Sequence, residues 1–230
     1  MTWPVVITVG GYAGDPIRKG FALAVLGSWV KHQQADVRVI NGGFGDEFLD
    51  LAAHADLEMP PRIGTLFPEN RQRDRHIMAV KYAASVGARW VWDCDDDCLP
   101  RPEMDLDVAA ALLDAHPEVW LAAVHLPSCP MPHGADGAHT GPLVETGAVG
   151  GLRVLRVDAF RNFAWPALDP RMGGRYDATW CQAIRAAGGK VAFFGDGAPR
   201  HLRAQHLGEF VSTFEWPYPR ARTYPRKWDE

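Results

Sequence analysis

Residues 90–102 read Trp-Val-Trp-Asp-Cys-Asp-Asp-Asp-Cys-Leu-Pro-Arg-Pro. Four carboxylates, Asp93, Asp95, Asp96 and Asp97, follow an apolar run of Ala88, Trp90, Val91 and Trp92, and two prolines come after them. An apolar run that stops in acids and prolines reads as a buried strand leaving the core for a loop, with the prolines ending regular structure. In an open α/β sheet, ligands bind at the carboxyl ends of the strands. Carboxylates this close repel one another, and a cation relieves the repulsion. Hard divalent cations such as Mg2+ and Mn2+ take oxygen ligands and bind through one or two carboxylates plus the phosphates of a substrate. The cluster is therefore expected to hold a metal and a phosphate; the alternative is a solvated acidic turn.

A second set of charges lies one helix upstream. Arg71, Arg73, Arg75 and His76 crowd the start of a helix expected to run to about Val86. They either neutralise a diphosphate or form a solvated face. Met78, Tyr82 and Val86 share one side of that helix, with Ile77, Val80 and Ala84 on neighbouring sides, so the width of its buried stripe stays open. Glycine-rich loops follow two apolar runs, at Gly10, Gly11 and Gly14 and again over residues 41–46. They could cradle phosphate or simply make tight turns. Neither matches a P-loop or a dinucleotide fingerprint.

These groups need elements to position them. Residues 4–9 are apolar and rich in β-branched side chains and read as a buried first strand. Residues 21–32 place Phe21, Val25, Leu26, Trp29 and Val30 at helical spacing. Residues 37–40 form a second strand, and strand–helix–strand order implies a parallel pair with a right-handed crossover. Further along, a short helix is expected at 48–55 and a strand at 63–67. A helix at 106–115 and strands at 119–124, 152–156 and 191–194 follow, with helices at 157–163 and 178–187. Asp177 is placed as the N-cap of the last helix, and Gly188 and Gly189 end it. Residues 128–147 read as a long loop, and long loops in compact domains usually carry function. That loop holds Cys129, His133, Asp136 and His139, with His125 just before it, in no recognisable metal-ligand spacing. The tail from residue 208 alternates aromatics with arginines. It either stacks on bases or sugars or packs on protein.

The chain has 230 residues, 47% of them hydrophobic, and a formal net charge of −4. That excludes wholesale disorder and a global basic field for nucleic acid, though not a local patch. The four cysteines, Cys94, Cys98, Cys129 and Cys181, do not form zinc pairs and are expected to be reduced. The amino terminus shows no signal-peptide pattern, and no stretch approaches the about 18 apolar residues of a membrane span, so a cytoplasmic enzyme is expected.

Taken in order, these motifs resemble the family 2 glycosyltransferases with the GT-A fold, over roughly residues 5–201. The helix after the first strand has Ser28 and Gln33 near the family's Ser and Gln. The second strand leads into a loop with an acid, Asp46. The family's DXD element followed by two prolines looks like Asp95-Asp96-Asp97 with Pro100 and Pro102. The Gly-Gly strand with a following Arg looks like residues 150–156. The late acid before a helix with an Arg and a Gly looks like Asp177, Arg185 and Gly188, with Tyr176 where the family usually has Glu. A His after the last strand looks like His201.

The resemblance implies an α/β fold: one GT-A domain over residues 1–207, with a Rossmann-like, mostly parallel sheet flanked by helices. Its nucleotide half would end near residue 102 and its acceptor half near 207, both sharing one sheet, with residues 208–230 as a tail. It implies metal-dependent, inverting transfer of a sugar from a UDP- or GDP-linked donor to a hydroxyl. Mn2+ or Mg2+ would sit on Asp97, Asp95 and His201. Thr8, Gly10, Asn41, Asp46, Arg73, Arg75, Asp93 and Asp96 would surround the donor, with Asp93 or Asp95 on the ribose hydroxyls. Gly150, Gly151, Tyr176 and Trp180 would meet the sugar and acceptor, and Asp177 would be the general base. The acceptor stays open among glycan, small molecule, protein and a hydroxymethylated DNA base. Two rival readings are a sugar-phosphate nucleotidyltransferase and a non-catalytic nucleotide-sugar-binding module.

Overall fold

The computed structural model describes residues 2–10, 16–42, 60–66, 71–124, 141–147, 149–167, 176–195, 197–199, 202 and 204–207. The expected helix at 48–55, Asp46, most of the long loop, His201 and the tail from 208 lie outside the described residues.

The chain alternates strands and helices. Strand β1 (Trp3–Gly10) leads to helix α1 (Pro16–Val30), β2 (Ala35–Gly42) and β3 (Arg62–Thr65). Helix α2 (Arg71–Ser85), β4 (Trp90–Asp95), β5 (Cys98–Pro100) and α3 (Leu106–Asp114) follow. Then come β6 (Val119–Val124), β7 (Leu143–Glu145), β8 (Leu152–Arg156), α4 (Val157–Phe160), α5 (Tyr176–Ala186), β9 (Lys190–Phe194) and β10 (Ala204–His206). Eight strands form one sheet in the order β3-β2-β1-β4-β8-β6-β9-β7, while β5 and β10 make a separate antiparallel pair. Strands β3, β2, β1 and β4 pair in parallel, as do β6 and β9. Strands β8 and β7 run against their neighbours. The expected α/β architecture with a mostly parallel sheet flanked by helices is what the structure shows, and strands from both parts of the sequence share the one sheet.

Each face of the sheet carries its own apolar core, sorted by the period-2 alternation of strand side chains. Trp90, Trp92 and Cys94 of β4 join Ile7 and Val9 of β1 and Val154 of β8 on one face, under α1 and α3. There α1 buries Ala22, Val25, Leu26 and Trp29, and α3 buries Leu106, Ala109, Ala110 and Leu113. Burying Leu26 and Leu113 contributes about 1.5–3 kcal/mol each. Val91 of β4, Val6 of β1 and Leu155 of β8 join the opposite face, under α2 and α5. The buried stripe of α2 is His76, Ala79, Val80 and Ala83, at spacings of three and four residues, while Val86 is exposed. Among the described residues, no helix is long and apolar enough to cross a membrane.

The structure corrects four boundaries. Strand β4 does not stop at the first acid but carries Asp93, Cys94 and Asp95 inside it. Pro100 does not end regular structure; it closes β5, a short strand that among the described residues pairs only with β10, and proline is tolerated at such an edge. Residues 143–145 of the expected loop are strand β7, paired to β9. Helix α5 begins at Tyr176, so Asp177 sits in its first turn and is not the N-cap, while Gly188, at φ 89°, takes the left-handed conformation that ends the helix.

Candidate active site

Alternation places the acids. If Val91 faces α2 and α5, then Asp93 and Asp95 do too, and on β8 the same holds for Arg153, two residues before Leu155. Asp93 and Arg153 are direct cross-strand partners in the antiparallel β4–β8 ladder. Arg153 Nη1 donates to Asp93 Oδ2 at 2.9 Å, and Nη2 donates to Asp95 Oδ2 at 3.0 Å and Oδ1 at 3.3 Å. From α2, Arg75 Nη2 donates to Asp93 Oδ1 at 3.3 Å and also pairs with Asp95. His76 Nδ1 lies 2.5 Å from Asp93 Oδ2. Asp177, in the first turn of α5, completes the group: Oδ2 is 3.9 Å from Arg153 Nη2 and Oδ1 is 4.0 Å from His76 Nε2.

The electrostatics follow from burial and pairing. Asp93 is 0% exposed. Burial alone would favour its neutral acid, but the charges of Arg75 and Arg153 and the His76 hydrogen bond hold it well below the usual carboxylate range. Burial pulls both guanidiniums down, and the surrounding carboxylates more than offset this, so both end above the ordinary arginine value. His76 is pushed down by burial and by the two arginines, against the pull of Asp93. Burial thus favours the neutral ring, and since an ionised Asp93 only accepts, the neutral form carries its proton on Nδ1. The His76 ring stacks on Trp180 with centroids 4.0 Å apart.

Asp96 and Asp97 form the turn between β4 and β5, and both are buried. The acid cluster is thus neither a solvated turn nor unrelieved repulsion: arginines from β8 and α2 already neutralise its inner part. Carboxylate oxygens of Asp95 and Asp97 lie with Cys98 Sγ inside a 4.8 Å group. Burial and the nearby acids push the Cys98 thiol well above its usual value, and its Sγ faces Asp97 Oδ1 at 3.5 Å. The two carboxylates offer a cation oxygen ligands, the kind that Mg2+ and Mn2+ take.

The structure redistributes several expected roles. Asp93 is sealed inside, with both oxygens engaged, so it is out of reach of a ribose. Arg75 is tied to Asp93 and Asp95 and holds acids rather than phosphate. Arg73 is half-buried and pairs with Asp74. Trp180 is fully buried in the core and cannot meet an acceptor; Tyr176 is also buried, which raises its phenol. Asp95 and Asp177 keep 26% and 31% of their side chains exposed, so both can meet a ligand. Thr8 is the Cα partner of Asp95, and its buried hydroxyl has no hydrogen-bond partner among the described residues. Asn41 is the last residue but one of β2, where its carbonyl accepts from Leu66 N. Gly10 ends β1, in register with Gly42. Gly150 is exposed, a side-chain carbon built on it would lie 3.3 Å from Asp177 Oδ2, and Gly151 has φ 76°. Arg153 had no expected role, and His76, expected with its neighbouring arginines to neutralise a diphosphate or form a solvated face, is instead buried against Asp93. The available signal was a lone arginine in the apolar run Leu152-Arg153-Val154-Leu155, since a charge in a buried strand needs a partner.

No protein-family model and no curated protein sequence matches the chain. Solved structures do. S. aureus TarS, residues 1–349, superposes with a TM-score of 0.59 at 14% identity, covering 92% of this chain and 63% of that one. The mannosyltransferase PcManGT from Pyrobaculum calidifontis, in complex with GDP-Man and Mn2+, gives a TM-score of 0.53 at 15% identity, covering 89% and 56%. The chain has the GT-A glycosyltransferase fold. A further TarS structure, in complex with UDP-GlcNAc, gives a TM-score of 0.58 at 13% identity, covering 90% and 61%. The chain spans less than two thirds of the length of each of these proteins. Within the GT-A fold, Asp95 at the end of β4 and Asp177 in the first turn of α5 both lie within ion-pair distance of Arg153.

Proposed function

We propose that the chain transfers a sugar from a nucleoside diphosphate donor to an acceptor hydroxyl, with inversion at the anomeric carbon. The observation that most supports this reading is the meeting of two carboxylates across one guanidinium. Arg153 touches Asp95, at the carboxyl end of β4, and Asp177, in the first turn of α5. The solved structures with the same fold hold UDP-GlcNAc or GDP-Man, so a UDP- or GDP-linked donor is the expected class.

Asp95 and Asp97 would hold the cation, Mn2+ or Mg2+, which when bound neutralises the diphosphate as it departs. Asp177 takes the proton of the acceptor hydroxyl as that oxygen bonds to the anomeric carbon. The bond from that carbon to the phosphate oxygen breaks on the opposite side, and the nucleoside diphosphate leaves with the electron pair. One displacement by an oxygen nucleophile inverts the anomeric configuration. Arg75 and Arg153 keep the inner acids ionised and fixed, so these donors and acceptors are pre-positioned.

The test is incubation with UDP-GlcNAc or GDP-Man and Mn2+, with water standing in for the acceptor. UDP or GDP should be released, at a rate that falls at least roughly tenfold in a chelator. Consumption of neither donor would contradict the reading, and so would release of a nucleoside monophosphate.

A further inference from the structure

Asp177 is exposed enough to meet an acceptor, yet nothing in its own helix fixes its carboxylate. Two features from outside the helix do. Arg153 Nη2 lies 3.9 Å from Oδ2, an ion-pair distance beyond hydrogen-bond length, so that oxygen feels the charge without spending a lone pair on it. A side-chain carbon built on Gly150 would lie 3.3 Å from the same Oδ2, so the carboxylate sits where it does because residue 150 has no side chain to crowd it. Arg153 cannot follow Asp177 if it moves. Its Nη1 is held by Asp93, its Nη2 also by Asp95, and the side chain is 2% exposed.

We propose that Arg153, anchored by Asp93, and Gly150 are the positioning residues for Asp177. Arg153 draws Oδ2 by its charge and Gly150, lacking a side chain, leaves it room there, so that the carboxylate meets the acceptor proton in one orientation. The inference rests on the reading of Asp177 as the base. A displacement of about 1 Å in a reacting group can cost about 100-fold in rate. Gly150 does not need the left-handed conformation, since its φ is not among the positive values, and it is exposed. Gly150→Ala is therefore expected to fold while pushing Oδ2 aside by a few tenths of an ångström. Arg153→Lys keeps a positive charge but replaces the fork by one ammonium, which cannot reproduce the geometry at Asp93, Asp95 and Asp177 together.

The experiment measures UDP or GDP release from UDP-GlcNAc and GDP-Man with Mn2+ for the unmodified chain, Gly150→Ala, Arg153→Lys and Asp177→Asn. Gly150→Ala should lower kcat about tenfold with donor KM within about threefold. Arg153→Lys should lower kcat at least as much. Should Asp177→Asn be inactive while Gly150→Ala and Arg153→Lys keep full kcat, or lose rate through KM alone, the positioning role is overturned and the base reading survives. Full activity of Asp177→Asn, or no turnover by the unmodified chain, overturns the base reading and the positioning role with it. Gly150→Ala also decides the matter should Arg153→Lys fail to fold, because it leaves the buried charges intact.

Discussion

Asp177→Asn is expected to lower sugar transfer about 100- to 10,000-fold, the range that general-base catalysis supplies, while nucleotide affinity stays within about twofold. The substitution removes the proton acceptor and little else. Asp177 is part of no apolar core, and its contacts to Arg153 and His76 are at 3.9 and 4.0 Å, too long to be hydrogen bonds. Steady-state rates with each donor, beside calorimetric titration with UDP and GDP, check both halves. A loss of nucleotide affinity matching the loss of rate would place Asp177 on the donor instead.

Asp93→Ala is expected to destabilise the fold by about 3–5 kcal/mol, measured by denaturant unfolding. Its carboxylate is the counter-ion shared by Arg75 and Arg153, two charges largely removed from water, and it also fixes the His76 tautomer. Its removal leaves those cations with only partial compensation from Asp95. Against a typical total of about 5–15 kcal/mol, that loss is large. The pH dependence has a definite sign. Because the folded-state carboxyl lies below its unfolded value of about 3.9, its contribution is complete above that value and declines as pH falls below it. Asp93→Asn should therefore lose stability less steeply than the unmodified chain on acidification below about pH 4. A ribose-binding Asp93 would instead give near-normal stability and weakened nucleotide binding.

The sheet was legible because its strands are short apolar runs separated by helical spacing, and the acid turn because three consecutive aspartates followed one of those runs. The inner architecture of the site was not. Trp90, Val91 and Trp92 are apolar on both faces, so nothing in their order shows that the strand continues through Asp95 or which face Asp93 takes. The pairing of Asp93 with Arg153 spans 60 positions and is set by sheet register, which a single sequence does not display. The basic run in the first turns of α2 was readable as charge. Its division between Arg75, turned inward, and Arg73, turned to Asp74, depends on the rotation of the helix. The resemblance put Trp180 at the sugar and acceptor, but its spacing with Tyr176, Cys181 and Ile184 is the buried stripe of α5.

The central claim is that the Asp95–Asp97 turn is a cation-dependent nucleotide diphosphate site. Calorimetric titration of UDP and GDP, with and without Mn2+, into the full chain and its Asp97→Ala variant tests it most directly. Binding of one nucleotide that requires Mn2+ and is lost in Asp97→Ala is the predicted result. Binding that is indifferent to Mn2+ and survives Asp97→Ala, or no binding of either nucleotide, would contradict it.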